Sequence, residues 1–153
     1  AHKSGLIGER PVKNPIHILP YITQTAIGNK RNLTIFGNNY KTKDGTCIRD
    51  FIHVNDVAEA HIKCIPFLKK NKKKYYKFNI GVGKGISILE LIKQFEKSTG
   101  VLIPNKYGKR RKGDVPELWA NCKKAKKLLN WSAKYNYEDM VLSAWNWEKN
   151  LKK

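Results

Sequence analysis

The stretch that decides the fold is DGTCIRDFIHVNDVAEAHI, Asp44 to Ile62. It opens on the turn pair Asp44-Gly45. Residues 48–54 mix apolar and charged side chains in a run that can be extended. Asn55 or Asp56 then caps a helix whose inward stripe is Val57, Ala60, Cys64 and Leu68. Pro66 falls within that helix, removes a backbone donor, and should kink or end it near Ile65. In the middle stands Arg49, beside Ile48 and just ahead of an apolar run, and so expected to be partly buried. A buried guanidinium needs an anionic partner. The partner is either internal, from Asp50 or Asp56, or a ligand phosphate that arginine grips bidentately. Local features leave the two readings even.

Outward from this stretch, helices and short strands alternate. Upstream, residues 1–15 read as loop, punctuated by Gly5, Gly8, Pro11 and Pro15. Ile18, Leu19, Ile22 and Ala26 then form a helical stripe that Gly28 closes. Leu33-Thr34-Ile35-Phe36 alternates as a strand and stops at Gly37. Downstream, the run 69–74, five lysines and one asparagine, reads as a solvated loop. Residues 75–80 form an aromatic, alternating strand. Ser87 and Glu90 make a capping box for a helix with Ile88, Leu91, Ile92 and Phe95 on one face and Gly100 at its end. Residues 101–103 begin another strand, and 105–117 read as a basic loop. Asn121 caps a short helix with Ala125, Leu128 and Leu129 inward. Asn136 caps the last helix, through Met140, Val141, Ala144, Trp145 and Trp147. The class is mixed α/β. The strands are too few and too short for a complete doubly wound sheet, so the 153 residues read as one region of a larger unit.

Composition narrows the function. At 41% hydrophobic and 28% charged the chain is globular rather than disordered. No run approaches the roughly 18 apolar residues of a membrane span, and no apolar leader opens the sequence. Cys47, Cys64 and Cys122 are widely spaced, which fits reduced thiols in the cytoplasm better than disulfides or zinc. The net charge of +19 raises nucleic-acid binding. Against it, only five of the 31 basic residues are arginine, the side chain that forked recognition favours. Lysine is spread along the chain, so an arginine that stands among so many lysines is expected to be there for its geometry. Arg49, Arg110 and Arg111 qualify.

Two loops invite a phosphate. Gly81-Val82-Gly83-Lys84-Gly85 follows a strand and precedes a helix, but its spacing is not the dinucleotide fingerprint and no acidic residue follows at the required distance. A structural turn is the better reading. Lys109-Arg110-Arg111-Lys112-Gly113-Asp114 is either a solvated charge run or a nucleotide contact, with arginine for phosphate and aspartate for sugar hydroxyls. The sequence has neither a Tyr-x-x-x-Lys pair nor a G-x-S-x-G elbow.

With these residues in view the chain resembles the C-terminal half of the UDP-glucose 4-epimerase family, along nearly all its length. SGLIGE, LTIFGNNYKTKDGTCIRDFIHVNDVAEAH, FNIGVGKGISILELI, RRKGDVPELWA and YNYEDMVLSAWNW carry the resemblance. It implies the UDP-sugar-binding part, residues 1–153, of an extended short-chain dehydrogenase of Rossmann type. The NAD-binding part and its Tyr-x-x-x-Lys pair would lie outside this sequence. It implies an isomerase of galactose metabolism that interconverts UDP-galactose and UDP-glucose through an NAD-dependent 4-keto intermediate, cytoplasmic and homodimeric at full length, with no nucleic-acid or membrane partner. This portion alone would lack activity. The resemblance assigns Arg49 and Arg111 to the diphosphate and Asp114 to the ribose. It places Thr34, Ile35 and Phe36 along the uracil, and Ile18 in a backbone contact. His17 stands where the family often has asparagine, and Leu118 stands beside the hexose. Another nucleotide-sugar epimerase or dehydratase is the nearest alternative. A basic polyanion- or RNA-binding module is the alternative from a different class.

Overall fold

The computed structural model describes residues 1–10, 14–71 and 75–151. Among these residues five helices and five short strands are interspersed: α1 (Ile18–Ala26), β1 (Leu33–Phe36), β2 (Ile48–Arg49), α2 (Val54–Lys70), β3 (Ile86–Ser87), α3 (Ile88–Thr99), β4 (Asn105–Gly108), β5 (Glu117–Leu118), α4 (Lys123–Leu129) and α5 (Tyr137–Leu151). β1 and β4 pair in parallel, Leu33 opposite Asn105 and Phe36 opposite Gly108. β2 is the centre of a second sheet, antiparallel to β3 and parallel to β5. The Asp44–Ile62 stretch therefore supplies the central strand of one sheet and, five residues later, the start of the longest helix.

The main core joins both sheets to three helices. Ile22 of α1, Leu33 and Ile35 of β1, Leu91, Ile92 and Phe95 of α3, and Met140 and Val141 of α5 are buried together with Ile103. Each such side chain contributes about 1.5–3 kcal/mol through burial. A second cluster, Ala60, Ala125, Leu129 and Trp131, ties α2 to α4. The Ser87–Glu90 capping box is present in both directions, and Gly100 ends α3 at φ 71°. Asn136 and Asp139 cap α5 reciprocally, each accepting from the other's backbone N–H at 2.9 Å.

Several expectations are corrected. His53, not Asn55 or Asp56, caps α2: its Nδ1 accepts from the Asn55 amide at 3.1 Å. Asp56 is drawn inward instead, where its carboxylate accepts from the amides of Lys134 and Tyr135 at 3.0 and 3.1 Å. Pro66 does not stop α2, which continues to Lys70. Ile62 and Pro66 are both exposed, so the carbonyl that Pro66 leaves without a donor faces water. Phe67 holds the last turn edge-on against Tyr76 and Phe78. It replaces Leu68 on the inward stripe, since Leu68 is 50% exposed. Likewise Leu128 of α4 faces out while Leu129 is buried.

Residues 75–80 join no ladder among the described residues. The strand expected at 101–103 begins only at Asn105, because the Ile103 amide donates to Glu96 Oε1 rather than to a ladder. The extended run expected over 48–54 keeps only Ile48 and Arg49 as strand. Cys122 holds the cap position of α4 without a side-chain bond to the helix, its thiol donating to the Gly81 carbonyl instead, and Asn121 Oδ1 still accepts from the Lys123 amide. Part of the lysine run, residues 72–74, lies outside the described residues, as does Pro11.

Candidate functional site

β1, β2 and the loop after β4 converge on one cavity of about 290 Å³. Its floor is apolar: Ile18 and Tyr21 from α1, Leu33 and Ile35 from β1, Phe51, and Ile88 at the start of α3. Its rim carries Arg49, Arg111 and Asp114, with His17 at the α1 end. An apolar slot beside a cationic rim is the shape a nucleotide requires, with the base in the slot and phosphate on the arginines.

Arg49 reaches the rim because β2 holds its backbone between two strands. Its guanidinium donates to the Ile48 and Val115 carbonyls at 2.8 and 2.9 Å and to Asp114 Oδ1 at 3.3 Å. The internal partner is therefore Asp114, not Asp50 or Asp56. Arg111 Nε donates to the other Asp114 oxygen at 2.8 Å, and the Arg111 guanidinium lies 5.1 Å from the centre of the Phe36 ring. One carboxylate thus bridges two guanidiniums. The three side chains leave a net positive rim, and Arg111 is the more exposed arginine, at 57% against 20% for Arg49.

The structure brings His17, Ile18, Thr34, Ile35, Phe36, Arg49, Arg111 and Asp114 to this one cavity. It does not bring Leu118, which is 60% exposed on β5 opposite Arg49 and absent from the lining. His17 Nδ1 lies 3.0 Å from both carboxylate oxygens of Glu9. Cys47, Phe51 and Tyr21 line the cavity without having been singled out in the sequence. The signal was there for each: Cys47 and Phe51 flank Arg49 at a spacing of two, and Tyr21 follows Ile18 by three on a helix.

The Gly81–Gly85 loop is a second anion site, already filled. Asp50 accepts from the Val82, Gly83 and Ala120 amides at 2.8, 3.0 and 3.1 Å. A side chain at Gly81 would begin 2.4 Å from Asp50 Oδ2. A dinucleotide pyrophosphate needs such amides free, so this loop does not fit NAD.

Residues 1–143 match the family model described as GDP-mannose 4,6 dehydratase, and the chain belongs to that short-chain dehydrogenase family. Its relatives narrow the class. It is 45% identical over 98% of its length to UDP-glucose 4-epimerase 2 of Arabidopsis thaliana, and 43% identical over 98% to UDP-glucose 4-epimerase of Bacillus subtilis. It spans 43% and 44% of those proteins, so it corresponds to less than half of each. The fold agrees with the crystal structure of UDP-glucose 4-epimerase from Stenotrophomonas maltophila with bound NAD and formylated UDP-arabinopyranose. There the TM-score is 0.95 at 41% identity, over 99% of this chain and 45% of that one. The Bifidobacterium longum enzyme in complex with NAD+ and UDP gives 0.93 at 39% identity, over 98% and 44%.

Proposed function

We propose that this chain is the UDP-sugar-binding portion of a UDP-glucose 4-epimerase, an enzyme that interconverts UDP-galactose and UDP-glucose. One observation carries the reading: every residue the family resemblance assigns to the nucleotide, Leu118 excepted, lines the same cavity. Uracil lies along Thr34, Ile35 and Phe36, reading backbone polar groups at the edge of β1. The α1 start at His17 and Ile18 closes the slot. The diphosphate sits on Arg49 and Arg111, where each charge-assisted hydrogen bond contributes about 1.5–3 kcal/mol. Asp114 orients both arginines and faces the ribose. Leu118, on the outer strand, borders the hexose. NAD is held mainly by residues outside these 153, and the portion alone does not turn over substrate. At full length the enzyme is a cytoplasmic homodimer.

Calorimetry of UDP against the chain and its Arg111→Ala variant tests this. The expected loss is about tenfold or more, equivalent to about 1.4 kcal/mol. Equal affinities, or no UDP binding by the unchanged chain, would refute it. Product analysis with UDP-glucose at full length separates a 4-epimerase from related nucleotide-sugar enzymes.

A further inference from the structure

The two neighbouring arginines of the loop after β4 face different ways. Arg111 faces the cavity. Arg110 turns to the segment between β1 and β2 instead. Its Nε donates to Asn39 Oδ1 at 2.7 Å, its terminal nitrogen donates to the Asn39 carbonyl, and its guanidinium stacks 4.0 Å above the Tyr40 ring. Tyr40 is only 4% exposed, and Cys47 beside its hydroxyl, together with burial, pushes the phenol's pKa up. Gly37, at φ 87°, makes room: a side chain there would start 2.5 Å from Tyr40 Cε2 and 2.8 Å from Arg110 Cγ.

We infer that Arg110 is a positioning residue for the nucleotide cavity, a clamp that fixes the 37–47 segment against the end of β4. The inference rests on the UDP-site reading above. The clamp governs the cavity from both sides. On one side the 37–47 segment delivers Cys47 to the cavity wall and leads into Arg49. On the other, Arg110 fixes the backbone from which Arg111 projects. The fork does what an ammonium cannot: it bonds twice to Asn39 while its face covers a ring.

Charge and clamp predict different outcomes for Arg110→Lys. If the clamp matters, Arg110→Lys and Arg110→Gln each weaken UDP binding by about fivefold, the scale of one exposed cation–π contact. Both also speed alkylation of Cys47 by iodoacetamide, followed peptide by peptide so that Cys64 and Cys122 serve as internal references. A folded circular-dichroism spectrum with unchanged Cys64 labelling excludes general unfolding. Wild-type affinity in Arg110→Lys overturns the inference, because charge alone then suffices. So does an unchanged Cys47 rate in both variants. Cys47 labelling needs no nucleotide, so it decides on the clamp even where the unchanged chain fails to bind UDP, a result that would sink the underlying site reading instead.

Discussion

Two aspartates in this molecule are held by concentrated positive potential, in opposite ways. Asp50 lies against three backbone amides of the Gly81–Gly83 turn and the β5 exit. Asp114 lies between the side chains of Arg49 and Arg111 at a cavity rim. Backbone amides are fixed in number and direction, so Asp50 saturates its site. A guanidinium has five donors, and Arg111 gives Asp114 only its Nε among the described residues. The first site is closed and joins chain segments 32 to 70 residues apart. The second keeps donors for a visitor. A glycine-rich turn after an extended run is thus structural here, and a basic loop that could pass for solvated surface lines the cavity proposed for UDP.

Breaking the closed site should have the largest effect. Asp50→Ala strands three amides that lose a charged acceptor, and a cost of about 3 kcal/mol or more is expected in urea unfolding. A loss under about 1 kcal/mol would mean that water replaces the carboxylate without penalty, and the contrast with Asp114 would collapse. At the open site the effect is smaller and of a different kind. Asp114→Asn removes the charge that competes for both arginines but keeps an acceptor oxygen for Arg49, while the pair with Arg111 is largely solvent-screened, so stability should change less than in Asp50→Ala. Inorganic pyrophosphate, which has no ribose to lose, should bind more tightly to Asp114→Asn by about threefold, or about 0.7 kcal/mol. Weaker binding would show that Asp114 aligns the arginines more than it competes for them.

What the sequence disclosed follows the range of the interactions. Local signals held: the Ser87–Glu90 box, the Asn136 cap and the Gly100 end are settled by neighbours three or four residues away. The residues named by the resemblance, Leu118 aside, lie around one cavity, because motif positions stand for a shared fold. Misses came where a distant group claimed a local donor or acceptor. Asp56 looked like a cap and is pulled in by amides 78 and 79 residues on. Arg49 reads equally as a partner of Asp50 or Asp56 or of a ligand phosphate, and its internal partner is Asp114, 65 residues away. No local pattern shows that Asp50 is occupied elsewhere, so the partner of Arg49 was open until the fold was known.

Acid sharpens the contrast through His53, three residues beyond Asp50. His53 joins the α2 cap to α5. Its Nδ1 accepts from Asn55, so the neutral ring carries its proton on Nε2 and donates to Ser143 Oγ at 3.1 Å. Tyr135 stacks on the ring at 4.4 Å. Burial holds the His53 pKa below the ordinary histidine value. His2 pushes the same way, while Asp56 and Asp139 oppose it. As pH falls through the unfolded-state value of about 6.5, the unfolded chain takes up a proton that the folded chain refuses. The stabilisation is complete above that pH and is lost as pH drops toward the folded value. Asp44 also has a lowered pKa: burial pushes it up, but hydrogen bonds from Ser87 and Thr46 outweigh that, so its contribution is lost only further down, below about pH 4. Urea midpoints should therefore decline between pH 7 and 5 in the wild type and flatten in His53→Gln. In the same interval UDP-glucose affinity, measured on the folded His17→Gln variant, should hold, since the rest of the rim is built from Arg49, Arg111 and Asp114. A parallel fall of affinity and stability would mean that the closed and open regions are one cooperative unit rather than two.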